Sequence, residues 1–434
     1  MLQNIIANLQ GIIDHAMVSR FVGHYGNAAV GVSWQIILVV IVFISSLFTG
    51  MAVLVARFAG ANQPDKVNRV VYQAFLTAFG LSLVMAVIGY VAAPTLLDLV
   101  NAEERVRHEA LPFLRVMFMG IFGMMMFFML SGAFRAAGDP RTPLRLGLSM
   151  TVLTVTFNLI LIPRLGTVGA AYGTIASSTL VAVYGIWKLT RPDSVIHFER
   201  GMDKRPDFTI IRSLFKFGLP TGVQGIAMNI GGVLLLSFIG SLEQSAAAQA
   251  AYAICYTELF ALITWTSTGL MGAAATVAGQ NLGANQPERA LRGVHVASRI
   301  GFGVAAVIGV MFVTIPNVLL GVLFGVEDQQ VLTLGRELLL YLSLSGFFIT
   351  AALSYTGGLQ GTGDTRSPLY ISIVSQVIVP LGLCALFEAA GKLEPHDIWL
   401  AIVLGHMTRA ALSLTRFRQQ KWRSIVVDIE PARP

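Results

Sequence analysis

Charge is what this sequence has least of. Asp, Glu, Lys and Arg make up 12% of its 434 residues, about half the share in a soluble domain, and mean hydropathy is +0.71. So little charge over so long a chain excludes an ordinary soluble enzyme and a disordered chain. Cysteine is equally scarce: Cys255 and Cys384 are the only two, both inside apolar runs, which excludes a disulfide framework and reads as packing. The seven histidines are scattered rather than at ligand spacing, and no Walker A loop is present, so ATP-driven transport would need a separate subunit. Alternating segments of about ten residues, the mark of a membrane β-barrel, are missing too.

What the chain does contain is apolar runs of about 20 residues or more, each able to cross a bilayer core of about 30 Å as a helix. Helices are expected at 1–21, 28–58, 70–98, 110–136, 144–163, 168–189, 212–239, 246–280, 292–324, 334–361, 368–390 and 396–415, which makes twelve. Across alternate loops the basic residues divide very unequally, roughly twenty against six. Lys66, Arg69, Arg141, Arg191, Arg205, Arg289, Arg366 and Arg416 stand on the rich side, Arg105, Arg164 and Lys392 on the poor one. Both termini are therefore expected in the cytoplasm, and the formal charge of +7 is a topology signal, not a nucleic-acid footprint.

Two polar interruptions occur twice. ARFAGANQPDKVNRVVYQA is echoed by GQNLGANQPERALRGVHVA, and GAFRAAGDPRTPL by GLQGTGDTRSPL, so that Gly60 matches Gly283, 223 positions later, and Gly138 matches Gly363, 225 later. The order and spacing imply a tandem repeat. Its parts are a lobe at 1–189, a cytoplasmic linker at 190–211, a second lobe at 212–415 and a cytoplasmic tail at 416–434. In the second motif Gly138 and Gly363 suit the left-handed residue that ends a helix. Thr142-Pro143 and Ser367-Pro368 offer an N-cap hydroxyl and a proline at the first helical position. Asp139 and Asp364 are expected to cap amides or pair with Arg141 and Arg366, which hold the turn on the cytoplasmic side. A structural turn accounts for all of this without cargo.

These motifs, with GIIDHAMVSRFVG near the start and GTVGAAYGTIAS before the sixth helix, resemble the multidrug and toxic compound extrusion (MATE) family over essentially the whole chain. The resemblance implies an all-α membrane protein with two six-helix lobes in a V. It also implies an antiporter that exports organic, often cationic, drug-like molecules in exchange for a proton or sodium ion. With that go a bacterial cytoplasmic membrane, membrane lipid around a monomer, no nucleic acid, and no cofactor beyond the coupling ion.

Coupling needs an ionisable group within the membrane. Asp14 is the leading candidate, and the family carries a functional aspartate at this place in its motif; a solvated carboxylate paired with His15 or Arg20 is the plain alternative. Asn158 and Thr174 are candidates for polar contacts near it, against an ordinary interhelical hydrogen bond. Glu258, with Tyr252, Tyr256 and Trp265 on the same helix, would suit a cationic aromatic guest, although aromatics at helical spacing commonly serve packing. Arg115 and Arg409 are expected to snorkel or form structural ion pairs. The Met-rich run 119–130 could serve a repacking cavity or lipid-facing packing.

The chain departs from the family in places. Four residues after Asn158 stands Ile162 where sodium-binding members have Asp, and Met228, Asn229 and Ile349 stand where acids of the second lobe would be. Protons are favoured modestly. Alignment of the halves leaves the first helix without its cytoplasmic half, which predicts a start placed too late or a trimmed chain, short of roughly 20 residues. Two other readings remain: a flippase for lipid-linked saccharide precursors, disfavoured by a midplane nearly without Lys and Arg, and an intramembrane enzyme, disfavoured by the lack of a spaced nucleophile and base.

Overall fold

The computed structural model describes residues 17–100, 103–192, 194–198, 201, 203–391 and 393–429. These are helical without any strand, as lipid demands of a backbone that must satisfy its own polar groups. The helices are α1 (His24–Gly60), α2 (Pro64–Leu99), α3 (Glu104–Met119), α4 (Ile121–Ala136), α5 (Arg141–Leu165), α6 (Thr167–Lys188) and α7 (Phe208–Gly240). They continue as α8 (Ser245–Tyr252), α9 (Ala261–Gly283), α10 (Pro287–Thr314), α11 (Gln329–Thr362), α12 (Arg366–Ile373), α13 (Val379–Ala389) and α14 (Pro395–Arg418). Among the described residues nine helices are long and apolar enough to cross a membrane, or ten if the bent pair α3–α4 is one span. The expected first helix falls mostly outside the described residues, which show its end, 17–21, as helical.

The chain divides into two compact units: the described residues up to Gly222 together with 427–429, and Val223–Val426. In both, apolar side chains face outward while small and polar ones are covered. On α2, Val87 and Val91 are exposed whereas Asn68, Gln73 and Ser82 are buried. The second unit has a core around Phe260, Ile263, Leu338 and Trp399 and a smaller one around Leu359, Phe417 and Trp422.

Four expected helices are interrupted. The run 110–136 is broken at Gly120, where α3 and α4 meet at 53°; Gly120 has φ −92° and ψ 6°, and a Cβ there would lie 2.3 Å from the Ile175 side chain. The run 292–324 stops at Thr314 because Ile315, φ −128°, precedes Pro316, which disfavours the helical region for it. The spans 245–283 and 366–389 each contain a wider π-turn, at Ala253–Leu259 and Val374–Ile378.

The duplicated motifs form matching turns. α1 and α9 end on Gly60 and Gly283, and Asn62 and Asn285 then take φ 55° and 56° before Pro64 and Pro287 open the next helices. Asparagine tolerates this left-handed region. In the second motif Gly138 and Gly363 are left-handed, φ 97° and 99°, as the spacing predicts. Here the N-cap expectation is corrected. α5 and α12 begin at Arg141 and Arg366, so Pro143 and Pro368 stand third, still inside the first turn where amides lack helical partners. The capping group is the carboxylate. Asp139 Oδ1 accepts from the amides of Arg141 (3.0 Å) and Thr142 (3.1 Å), while Thr142 Oγ1 donates to Asp139 Oδ2. Asp364 accepts from the Ser367 amide (3.1 Å) and hydroxyl (2.8 Å), and its ion pair is with Arg416, 2.8 Å away, rather than with Arg366.

The linker lies on α2 of its own unit. Gln73 Nε2 donates to Arg205 O (2.6 Å), Gln73 Oε1 accepts from the Asp207 amide (3.1 Å), and Asn68 Oδ1 accepts from the His197 amide (3.2 Å). Arg69 pairs with Asp207 at 2.5 Å, and Phe198 packs edge-on against Tyr72 and Phe75.

Candidate functional site

Each unit buries polar side chains at membrane depth, and the two sets differ in kind. In the first, α5 turns Thr154 and Asn158 inward one turn apart, and both are fully buried. α6 faces them with Gly173: a Cβ at that position would lie 1.9 Å from Asn158 Oδ1. Thr174 is buried beside it and donates to Ala170 O at 3.1 Å, and Ser177 donates to Gly173 O at 2.6 Å. Both hydroxyls thus give their hydrogens to their own helix, which keeps their lone pairs facing inward. Asp14 lies outside the described residues. The structure therefore brings Asn158 against the segment carrying Thr174, in a layer of amide and hydroxyl groups rather than charge.

In the second unit the π-turn that interrupts the span 245–283 lies within a stack of rings. Tyr252 lies parallel to Tyr256 at 4.8 Å and to Trp399 at 6.4 Å, and Tyr256 stacks with Phe260 at 5.6 Å and His406 at 6.3 Å. The extra residue of a π-turn alters which side chains share a face, and here the outcome splits the expected set. Tyr252 and Tyr256 join the stack, while Glu258 is exposed and Trp265 is 47% exposed. The Ser345 hydroxyl is hydrogen-bonded to His406 Nδ1, fixing the ring's orientation. Flat π-faces of this kind can receive a planar or cationic guest.

Arg409 corrects the expectation of snorkelling or ion pairing. It is 3% exposed and has no carboxylate paired with it among the described residues. Arg115, half-buried, instead lies over the Tyr90 ring at 4.9 Å. Nearby, Gln224, Ser372 and Gln360 form a buried chain across α7, α12 and α11: Gln224 donates to Ser372 Oγ at 2.8 Å, and Gln360 to Gln224 Oε1 at 3.3 Å. The sequence reading missed Trp399, His406 and Phe260 as members of the stack. Trp399, His406 and Arg409 recur at one-face helical spacing on α14, a signal that could have found them.

Outside the spans, Asp139 is the turn residue whose ionisation is perturbed. Burial acts to raise its pKa, but hydrogen bonds from the Thr142 side chain and from the Thr142 and Arg141 amides, with the charge of Lys188, outweigh this and hold it below the ordinary carboxylate value. Lys188 Nζ also donates to Thr142 Oγ1 at 2.6 Å.

Repeated helical halves that cover polar side chains within membrane-spanning helices define a multi-pass membrane transporter. The MatE family model matches residues 1–160 and 220–386, and the chain belongs to that family. It is 22% identical over 422 residues to a protein named probable multidrug resistance protein YoeA of Bacillus subtilis, covering 95% of this chain and 89% of that one. It is 23% identical to one named probable multidrug resistance protein NorM of Thermotoga maritima, covering 98% and 91%. Among solved structures, an outward-facing MATE family multidrug resistance transporter superposes with TM-score 0.89 at 20% identity over 97% of this chain and 93% of that one. A eukaryotic MATE transporter gives 0.83 at 19% identity, covering 97% and 93%. These superpositions agree with the two-lobed helical fold implied by the sequence. As a member of this family the protein carries small molecules across the membrane.

Proposed function

We propose that the protein is a secondary active multidrug exporter. It exchanges organic, mostly cationic, drug-like compounds for a proton, or for sodium, across a bacterial cytoplasmic membrane, as a monomer with both termini inside. Its lobes are 1–189 and 212–415, joined by the linker 190–211, with a tail at 416–434. The observation that carries this reading is the family match to both halves of the chain, and the multidrug names of its relatives supply the cargo class.

Asp14 takes up the ion in this reading, with Asn158 and Thr174 as neutral neighbours that adjust its hydration. Ion uptake must favour one state over the other, since a ligand of equal affinity for both shifts nothing. Cargo meets Tyr252 and Tyr256, with Glu258 and Trp265 at the exposed side of the same span. Missing acids at Ile162, Met228, Asn229 and Ile349 leave few oxygens for sodium and favour the proton.

The test is uptake of a fluorescent cationic drug into inverted membrane vesicles under an imposed proton or sodium gradient. Uptake driven by one gradient and reduced at least tenfold by Asp14→Asn is the expected outcome and names the ion. Vesicles that move no drug under either gradient would overturn the efflux reading and return the lipid-precursor flippase to consideration.

A further inference from the structure

Among the described residues Arg409 is the most deeply buried Lys or Arg, and it lies in the middle of a transmembrane helix. A guanidinium presents five donors and stays charged. Removing one from water without a counter-charge is costly, more so within a membrane. Its Nε has no hydrogen-bond partner among the described residues. Tyr256 and His406 lie near enough to interact with it, and neither is an obligate anion.

A further donor stands close along the same seam. α11 and α14 run parallel, because Ser345 bonds His406 and, ten and eleven residues on, the Tyr355 ring meets Phe417 at 5.6 Å. Between those two levels on α14 lie Arg409 and, one turn beyond it on the same face, Ser413. The Ser413 hydroxyl is fully buried with Oγ unpartnered among the described residues. Thr174, Ser177 and Ser375 spend their hydroxyl hydrogens on a carbonyl of their own helix. Ser413 does not. A cation and a hydroxyl with an unspent donor on one helix face call for an acceptor that also carries negative charge. Water could satisfy the hydroxyl, but it cannot neutralise the guanidinium.

We propose that Arg409, with the hydroxyl of Ser413, forms a binding site for a monovalent anion, which is either a halide or the carboxylate of a transported molecule. The stacked rings of Tyr256 and His406 shield one side from lipid and water, which strengthens a charge-assisted contact. One guanidinium matches one negative charge, so a divalent anion would be left in excess.

Thermal unfolding of the purified full chain in detergent, followed by tryptophan fluorescence, tests this at constant ionic strength as sodium sulfate is replaced by sodium chloride, bromide or benzoate. A saturable rise in the wild-type midpoint is expected, lost in Arg409→Gln, with half-saturation moved several-fold upward in Arg409→Lys and Ser413→Ala. A rise with chloride and bromide alone identifies an inorganic ion site, and one with benzoate alone a carboxylate subsite for cargo; either supports the proposal. Absence of any saturable rise in the wild type overturns it, as does an undiminished rise in Arg409→Gln. Should Arg409→Gln fail to fold, unchanged half-saturation in both Arg409→Lys and Ser413→Ala overturns it instead. The drug-uptake assay is independent of this measurement, so failure of the efflux reading leaves the anion result standing.

Discussion

At the scale of single residues, the interior of the first unit is set by the absence of one methyl group. Gly173 lets α6 approach α5 until Asn158 Oδ1 occupies the space of a Cβ. Gly173→Ala must therefore swing the amide or separate the helices, and overpacking of this kind costs about 1–3 kcal/mol. The expected outcome is a lower unfolding midpoint in detergent together with slower gradient-driven uptake. Gly80→Ala, where nothing lies within 4 Å of the added carbon, should leave both unchanged. Asn158 and Thr174 could be named as candidates from the family motif, and the structure buries both, but Gly173 could not: a glycine among many in a membrane helix announces nothing until its partner helix is known. Arg409 shows the converse. Sequence supplies the charge, and only packing reveals that it is buried with no carboxylate paired to it among the described residues.

At the scale of elements, the duplicated turns are where sequence spoke most clearly. The left-handed glycines at 138 and 363 and the capping role of Asp139 and Asp364 follow from local chemistry, so they could be read without the fold. Which basic residue pairs with Asp364 could not, because Arg416 arrives from 52 positions away. Likewise, periodicity gives no warning of the bend at Gly120 or the π-turn at Ala253–Leu259, since neither interrupts the apolar run in which it sits. The Asp139 turn yields a pH prediction. Its folded-state pKa lies below the ordinary value of 3.8, so the unfolded chain binds more protons, and stability rises with pH there. The contribution is complete above about pH 4 and is lost as pH falls through the folded-state value. Midpoints measured between pH 6 and pH 3 should fall in the wild type and fall less steeply in Asp139→Asn. Equal slopes would remove the turn from the acid response.

At the scale of the whole molecule, the linker is the segment most open to test. Gln73 holds it by two hydrogen bonds and is 1% exposed. Gln73→Ala gives up about 1 kcal/mol for each bond, so the undocked population should rise by tenfold or more. Trypsin should then cut after Lys204 correspondingly faster and release two fragments; an unchanged cutting rate would mean the linker is held elsewhere. The linker's partners also bear on how the chain is made. Asn68, Arg69, Tyr72, Gln73 and Phe75 precede it in the chain by about 130 residues, so they have left the ribosome before the linker does. The first half can thus fasten the linker to its own α2 while the second is still being translated. The nascent chain then enters the second round of membrane insertion from a fixed point.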